Sequence, residues 1–292
     1  MAIAQQIVNG LLLGGVLALV ALGFSIVWGI LNIINLAHGA FIMIGAFVTY
    51  WLFKLYGIDP FLSIPVSMLV LFVIGYLTQL ALINWVVRAP VLITLLLTFG
   101  LNLLITNLAL LAWSADTRSV NPSYVGSRLD IGSVGIPYVK LGTLALALII
   151  TALLAVFMAR TRLGQAIQAT AYDLTGAKVV GISIGRTYAI TFGIGAALAG
   201  AAGSLIAIVR PVSASMGEQY TVLAFAICVL GGLGSVSGAL IGGLVFGMVD
   251  VFATVFLGAG YAEAVVFAIL ILVLAVRPQG ILGRQYSSGG EE

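Results

Sequence analysis

Charged residues are scarce in this sequence: Lys, Arg, Asp and Glu together make up only 7% of its 292 residues. A soluble domain carries roughly 25% charged residues, so this chain has too few of them to form a water-facing surface over most of its length. Hydrophobic residues account for 62% of the sequence, and the mean hydropathy is +1.23. The composition therefore predicts a protein whose main solvent is lipid.

Other absences restrict the chemistry. The single cysteine, Cys228, excludes an intrachain disulfide, and one histidine with one cysteine cannot supply a usual zinc ligand set. None of the three lysines follows a glycine, so there is no Walker A motif. A net charge of +3, dispersed along the chain, does not suit nucleic-acid binding. A G-x-S-x-G match at 181–185 lacks the strand-turn-helix context of a hydrolase and is interpreted as chance. We therefore expect no catalytic residue, metal or cofactor, and transport rather than catalysis.

The hydrophobic pattern predicts an all-α polytopic membrane protein with about nine transmembrane helices, eight to ten being compatible with the pattern. A spanning helix needs about 20 residues. The predicted segments are 5–30, 35–53, 61–86, 90–113, 141–159, 187–209, 219–232, 236–257 and 262–276. Segment 219–232 is short for a full span, which indicates a broken or half helix.

These spans leave no room for a separate soluble domain. We predict one transmembrane domain over residues 1–282, followed by a polar, disordered tail at Gly283–Glu292. The first residues carry no basic region and are interpreted as the start of the first span rather than a signal peptide. An ATPase would have to be a separate polypeptide, unless ions drive the process.

The basic residues predict the orientation, because short cytoplasmic loops retain more Lys and Arg. Seven lie on one side: Arg88, Arg160, Arg162, Lys178, Arg186, Arg277 and Arg284. Five lie on the other: Lys54, Arg118, Arg128, Lys140 and Arg210. We therefore expect the first side to be cytoplasmic, with the N-terminus outside. The long outer loop is then 114–140, and the long cytoplasmic segment is 160–186.

Polar residues at membrane depth are the candidates for a translocation path, because they are costly in lipid unless they face a cavity or a partner. Asn32, Asn35 and His38 lie in a predicted break between the first two spans, where irregular backbone could line a water-filled path. A turn at the membrane interface is the alternative. Asp250 interrupts an apolar span and should be paired, protonated or facing water; a contact with another subunit is an equal alternative.

Small residues recur four positions apart, for example at Gly10 and Gly14 and at Gly243 and Gly247. In lipid, helices associate through van der Waals contact that small residues permit. The spacing predicts close helix packing, with helices that slide past one another as the alternative.

The cytoplasmic segment contains a predicted helix over 160–173, with a stripe formed by Leu163, Ala166, Ile167, Ala171 and Leu174. We expect Gly176 to end the first helical stretch and a second one to cover 177–182. A short helix of small apolar residues suits insertion into a groove on a partner protein. An interfacial helix on the inner leaflet is the alternative.

Four motifs in order resemble the branched-chain amino acid ABC transporter permeases, and the likeness covers essentially the whole chain. They are the run Ile34 to Phe41 (INLAHGAF), RLGQA at 162–166 with Gly181-Ile182, GGLGSVSGA at 231–239, and RPQGILG at 277–283. The likeness is strongest to the shorter, H-type permease subunit. At 169–171 the chain reads Ala-Thr-Ala, where many importers carry Glu-Ala-Ala.

The resemblance implies a multi-pass protein of a bacterial inner membrane that forms half of a translocation pathway. It implies a second permease subunit, two ATP-binding subunits and an extracytoplasmic substrate-binding protein as partners, besides membrane lipid. It also implies that an ATPase-coupling segment includes Arg162, Leu163, Gly164, Ala166, Ile167, Ala171, Gly181 and Ile182. The implied substrate is a branched-chain or other hydrophobic amino acid. A urea or short-amide permease of the same family and an ion-coupled secondary transporter are the alternatives.

Overall fold

The computed structural model describes residues 3–87, 89–131 and 134–282. Over these ranges the chain forms helices α1 (Ile3–Leu31), α2 (His38–Tyr56), α3 (Ser63–Thr78), α4 (Asn84–Val86), α5 (Val91–Trp113), α6 (Tyr138–Arg160), α7 (Arg162–Tyr172), α8 (Leu174–Val179), α9 (Ile184–Val209), α10 (Met216–Gly231), α11 (Val236–Leu257) and α12 (Ala259–Val276). A π-helical segment, Gln79–Ile83, joins α3 to α4, so that Ser63–Val86 forms one span.

The predicted helical membrane architecture is confirmed. Eight helices in the described ranges are long and apolar enough to cross a membrane, and α10 is a shorter apolar helix of 16 residues. The short segment predicted at 219–232 corresponds to α10. The predicted tail at 283–292 lies outside the described residues.

The outer loop differs from the prediction, which contained no strand. Strands β1 (Arg128–Ile131) and β2 (Val134–Pro137) pair in antiparallel register, with Arg128 opposite Pro137. The next helix, α6, begins directly after Pro137, three residues earlier than predicted. Proline is tolerated at a helix start, where its missing N–H is not needed.

Helices α1 and α9 form the centre of the bundle. In the most apolar 18-residue stretch of each, 89% of the residues are buried, against 17% in α5 and 12% in α12. The two outer helices therefore present their apolar side chains to lipid or to another subunit. The large side chains inside the core include Phe24, Phe41 and Phe192, and the last two form an edge-to-face contact with centroids 6.0 Å apart.

The predicted close helix packing is present between α1 and α11. A Cβ atom added at Gly14 would lie 2.7 Å from the Cα of Leu244, and one added at Gly10 would lie 2.9 Å from the Cα of Met248. The glycine pairs 10/14 and 243/247 therefore face each other, and their backbones approach more closely than any side chain would allow.

The helices alternate in direction, so the bundle has two ends. The hairpin end carries the start of α1, strands β1 and β2, and the α9–α10 connection. There, the Gln5 side-chain amide exchanges two hydrogen bonds with the Gly135 backbone, at 3.0 and 2.8 Å. The opposite end, which we term the α7–α8 end, carries the end of α1, helices α7 and α8, and the segment after α12.

The two ends differ in charge. Among the described side chains, the loops and terminal helical turns of the hairpin end carry five basic and four acidic residues: Lys54, Arg118, Arg128, Lys140, Arg210, Asp59, Asp116, Asp130 and Glu218. The α7–α8 end carries five basic residues and one acidic residue: Arg160, Arg162, Lys178, Arg186, Arg277 and Asp173. Arg88 and Arg284, which the sequence prediction used, lie outside the described residues.

Candidate translocation and coupling sites

The first span ends at an asparagine. Asn32 has a positive φ of 53°, and its N–H donates to the Trp28 carbonyl at 2.9 Å. Asparagine tolerates this left-handed conformation better than most residues, so it can end a helix where another side chain would be strained. The chain then runs without regular structure until α2 begins at His38.

The break turns back into the bundle. His38 Nε2 lies 2.9 Å from the carbonyl oxygen of Val20, eleven residues before the end of α1 at Leu31. At 1.5 Å per residue, this is about 16 Å along the helix axis. The segment 32–37 therefore runs back along α1 from the α7–α8 end, and α2 begins at membrane depth.

Two threonines satisfy the backbone of the break. Thr98 on α5 accepts a hydrogen bond from the Leu36 N–H at 3.2 Å and donates to the Ile34 carbonyl at 2.9 Å. Thr221 on α10 accepts from the Gly39 N–H at 2.9 Å and lies 3.3 Å from the Leu36 carbonyl. Irregular backbone in a membrane persists only where protein or water satisfies its polar groups, and here hydroxyls of two neighbouring spans do so. Sequence reasoning missed both residues, because a threonine in an apolar span gives no distinguishing signal.

The predicted path residues of the break have different environments. Asn32 is exposed, whereas Asn35 and His38 are buried. The Asn35 side-chain oxygen accepts from the Ala37 N–H at 3.1 Å, which stabilises the turn into α2. The His38 ring donates through Nε2 to Val20 and packs edge-on against Phe24, with centroids 5.7 Å apart. In this conformation Asn35 and His38 hold the break in place.

Asp250 lies elsewhere. It is half-buried on α11 and lines a cavity at the hairpin end, together with Gln6 near the start of α1. Gln6 and Val20 are fourteen residues apart on α1, which is about 20 Å along the axis. The structure therefore does not bring the four predicted path residues into one cluster. It divides them between the break and this cavity.

Side-chain caps define the two surface helices. The Thr161 hydroxyl accepts from the Gly164 N–H at 2.9 Å at the start of α7, and the Asp173 carboxylate accepts from the Thr175 N–H at 2.9 Å at the start of α8. These bonds satisfy N–H groups that a helix start leaves unpaired. The prediction that Gly176 ends the first helix is wrong: the helix ends at Tyr172, because Asp173 caps the next one, and Gly176 lies inside α8.

One face of this helix pair packs on the protein's own bundle. Gly164, Ile167 and Thr170 are buried, and the Gln168 side chain donates to the Met158 carbonyl at 2.9 Å. Ile167 is 1% exposed, so the prediction that it belongs to a partner-facing stripe is wrong. The stripe as a whole is not buried, because Leu163 and Ala171 are exposed; the residues that pack on the bundle, which includes α1 and α9 of the same chain, are Gly164, Ile167 and Thr170.

The helix pair also carries exposed apolar side chains. Four large side chains are between 51% and 83% exposed: Leu163, Tyr172, Val179 and Val180. Of the other residues in the predicted coupling segment, Arg162, Ala171 and Gly181 are exposed, and Ala166 and Ile182 are half-buried. Gly181 adopts a positive φ of 84°, which closes the turn between α8 and α9.

These features define the class of the protein. Membrane-length helices around a buried central pair, a second span that begins at membrane depth, and a helix pair on one face are the features of a multi-pass permease subunit.

A family model described as "Branched-chain amino acid transport system / permease component" matches residues 6–274. The chain belongs to this family, and the resemblance found in its sequence motifs is confirmed. Members are permease components, which are transport subunits rather than enzymes.

Two full-length relatives support the assignment. The high-affinity branched-chain amino acid transport system permease protein BraD of Pseudomonas aeruginosa is 35% identical over 296 residues, which cover 96% of this chain and 95% of the relative. The corresponding protein LivH of Escherichia coli K12 is 34% identical with the same coverage. The permease protein LivM of E. coli is 26% identical over 90% of this chain and 67% of LivM.

A solved structure described as PsaBC from Streptococcus pneumoniae in complex with Fab has a similar fold. The TM-score is 0.50 at 12% sequence identity, over 93% of this chain and 91% of that one. This likeness concerns the fold alone.

Proposed function

We propose that this chain is one of two permease subunits of an ATP-driven importer of branched-chain or other hydrophobic amino acids. A second permease completes the pathway, two ATP-binding subunits supply the energy, and an extracytoplasmic binding protein delivers the substrate. The names of the full-length relatives favour this substrate class over urea or short amides. Membership in a family of permease components argues against the ion-coupled alternative.

The observation that carries the proposal is the exposed apolar surface of the α7–α8 pair. Buried residues such as Ile167 fix the pair to the bundle, and Leu163, Tyr172, Val179 and Val180 remain exposed around them. Several large apolar side chains exposed on one short segment indicate a protein interface. An ATP-binding subunit seated on this face would push on α6 and α9, because α7 follows α6 directly and α8 is joined to α9 by a short turn.

The same proposal places the α7–α8 end in the cytoplasm. The sequence assigns seven Lys and Arg residues to the loops of that end and five to the other, and the positive-inside rule places the end with more of them in the cytoplasm. The hairpin end then faces the binding protein.

Substitution on the exposed face tests the coupling role. Leu163→Asp places a charge where a partner would bury a leucine, so we expect the ATP-binding subunit to be lost when the complex is purified. Leu62→Asp is the matched control, because Leu62 is also exposed but lies at the hairpin end; it should retain the subunit. If Leu163→Asp retains as much ATP-binding subunit as Leu62→Asp, the coupling surface is elsewhere.

Cysteine labelling tests the orientation. The native Cys228 is buried and therefore gives little background. A Tyr172→Cys variant should react with a membrane-impermeant maleimide only from the cytoplasmic side, and a Leu62→Cys variant only from outside. The reverse pattern would invert the proposed topology.

A further inference from the structure

The hairpin end contains a cavity of about 550 Å³ between α1, α6, α9, α10, α11 and α12. Small-molecule sites typically measure about 300–1,000 Å³, so this cavity is large enough for an amino acid. It lies at the end opposite the α7–α8 pair, and residues near the helix termini form its rim.

Side chains of both charges line this cavity. Arg210, just after α9, and Lys140, in the first turn of α6, contribute positive charge and are exposed to water. Asp250 contributes a carboxylate from α11 and is half-buried. The Tyr220 side chain lies in the same wall. A ligand with only one charge would therefore meet a charge of its own sign in this cavity and be repelled by it.

The remaining walls carry amide and aliphatic groups. Gln6 is 6% exposed and places an amide, which is a polar but uncharged group, in the cavity lining. Leu12, Val16 and Phe246 supply an apolar surface beside it. Since such sites combine an apolar lining with a few placed polar groups, these walls suit a short aliphatic chain next to a charged head.

We propose that this cavity binds a zwitterionic α-amino acid with an aliphatic side chain. The carboxylate lies toward Arg210 and Lys140, the ammonium group toward Asp250, and the side chain against the apolar wall of α1 and α11. The inference rests on the proposed function for the direction of transport. It assigns recognition of the amino-acid head to the permease itself, in addition to the binding protein that delivers the substrate.

Direct binding to the complex, without its binding protein, tests the inference. The complex of both permeases and the ATP-binding subunits is placed in lipid nanodiscs, and radiolabelled L-leucine is titrated from micromolar to millimolar concentrations. Competition then compares L-leucine with leucinamide, which lacks the carboxylate, and with 4-methylpentanoate, which lacks the ammonium group. Each charged hydrogen bond lost should weaken binding about tenfold to a hundredfold.

Two variants connect each ligand charge to its residue. Asp250→Asn should weaken L-leucine about tenfold or more and should not weaken 4-methylpentanoate, because that ligand has no ammonium group to lose and no longer faces a carboxylate of its own sign. Arg210→Gln should weaken L-leucine and should not weaken leucinamide, which has no carboxylate to lose. Asp130→Asn and Arg128→Gln are the matched controls, since both residues are exposed in β1 and form an ion pair with each other. Neither lines the cavity, and both variants should bind L-leucine like the unsubstituted complex.

The outcomes separate the inference from the proposed function. Absence of L-leucine binding in a complex that still transports with its binding protein would overturn the inference alone. Equal loss for all three ligands in Asp250→Asn would also overturn it, because the aspartate would then act only structurally. Nanodiscs with and without phosphatidylethanolamine distinguish the amino acid from a lipid head carrying the same two charges. If that lipid abolishes L-leucine binding, the lipid is the ligand and the inference is wrong. Failure of the complex to transport any amino acid would instead contradict the proposed function.

Discussion

The hydroxyl of Thr221 is the most direct point at which to perturb the broken second span. Valine has nearly the same shape as threonine, so Thr221→Val removes the hydroxyl without opening a cavity. The substitution leaves the Gly39 N–H, now bonded at 2.9 Å, without its acceptor. It also removes a donor that lies 3.3 Å from the Leu36 carbonyl.

The magnitude follows from burial. Gly39 is buried, so water cannot replace the lost acceptor. A buried donor left unsatisfied costs about 1–3 kcal/mol. The Gly39 peptide cannot move to another acceptor, because α2 and α10 are tightly packed there: a Cβ atom added at Gly217 would lie 2.8 Å from the Gly39 carbonyl oxygen. We therefore expect Thr221→Val to lower the unfolding free energy by about 1–3 kcal/mol.

A thermal unfolding assay measures this effect. Cys228 is buried and its thiol donates to the Ala21 carbonyl, so a thiol-reactive fluorophore should label it only on unfolding. With partner subunits lacking cysteine, the signal reports this chain. A loss of 1–3 kcal/mol should lower the midpoint by several degrees, and Thr221→Ser should restore it because serine keeps the hydroxyl.

Thr78→Val is the matched control. The Thr78 hydroxyl donates only to the Ile74 carbonyl of its own helix, at 2.8 Å, so its removal leaves no backbone N–H unsatisfied. We expect a shift below about 0.5 kcal/mol, as for substitutions outside such features. If Thr221→Val and Thr78→Val shift the midpoint equally, the hydroxyl of Thr221 does not stabilise the break, and the reasoning above is wrong.

Two further substitutions test the packing and the outer loop. Gly14→Ala should destabilise the protein measurably in the same thermal assay, because the new Cβ atom would lie 2.7 Å from the α11 backbone. Gly100→Ala is the control: its Cβ atom meets nothing within 4 Å, so the substitution should be neutral or slightly stabilising. Equal unfolding midpoints for the two variants would contradict the close contact between α1 and α11. Arg118→Gln should speed hydrogen exchange in 114–127, because the guanidinium donates to a backbone carbonyl at 2.6 Å and lies over three aromatic rings at 5.0–6.0 Å. Arg128→Gln, which removes an exposed ion pair, should leave hydrogen exchange in 114–127 unchanged. If both variants exchange at the same rate, Arg118 does not anchor this segment.

Much of the fold follows from local sequence. Eight long helices coincide with predicted hydrophobic segments within a few residues, because the cost of unpaired peptides in lipid imposes helices on any long apolar run. The break before His38 was also predictable, since Asn32 and Asn35 interrupt an apolar run and asparagine accepts the conformation that ends a helix. The family could be recognised from short motifs spread over the whole chain, as the match to residues 6–274 confirms.

Only the tertiary structure decided which side of each helix packs on the protein's own bundle, lines a cavity or stays exposed. The helical spacing of Leu163 and Ile167 was visible in the sequence, but spacing does not show that Ile167 packs on the protein's own bundle while Leu163 stays exposed. Likewise, Arg210 and Lys140 were recognisable only as loop charges, and their presence with Asp250 in one cavity lining depends on how six helices close around that cavity. The sequence by itself determined that the chain crosses a membrane and where it does so, because each span is specified by its own residues. Thr98 and Thr221 lie 62 and 182 positions from the backbone groups that they satisfy, and the cavity combines residues of six helices, so only packing brings these groups together.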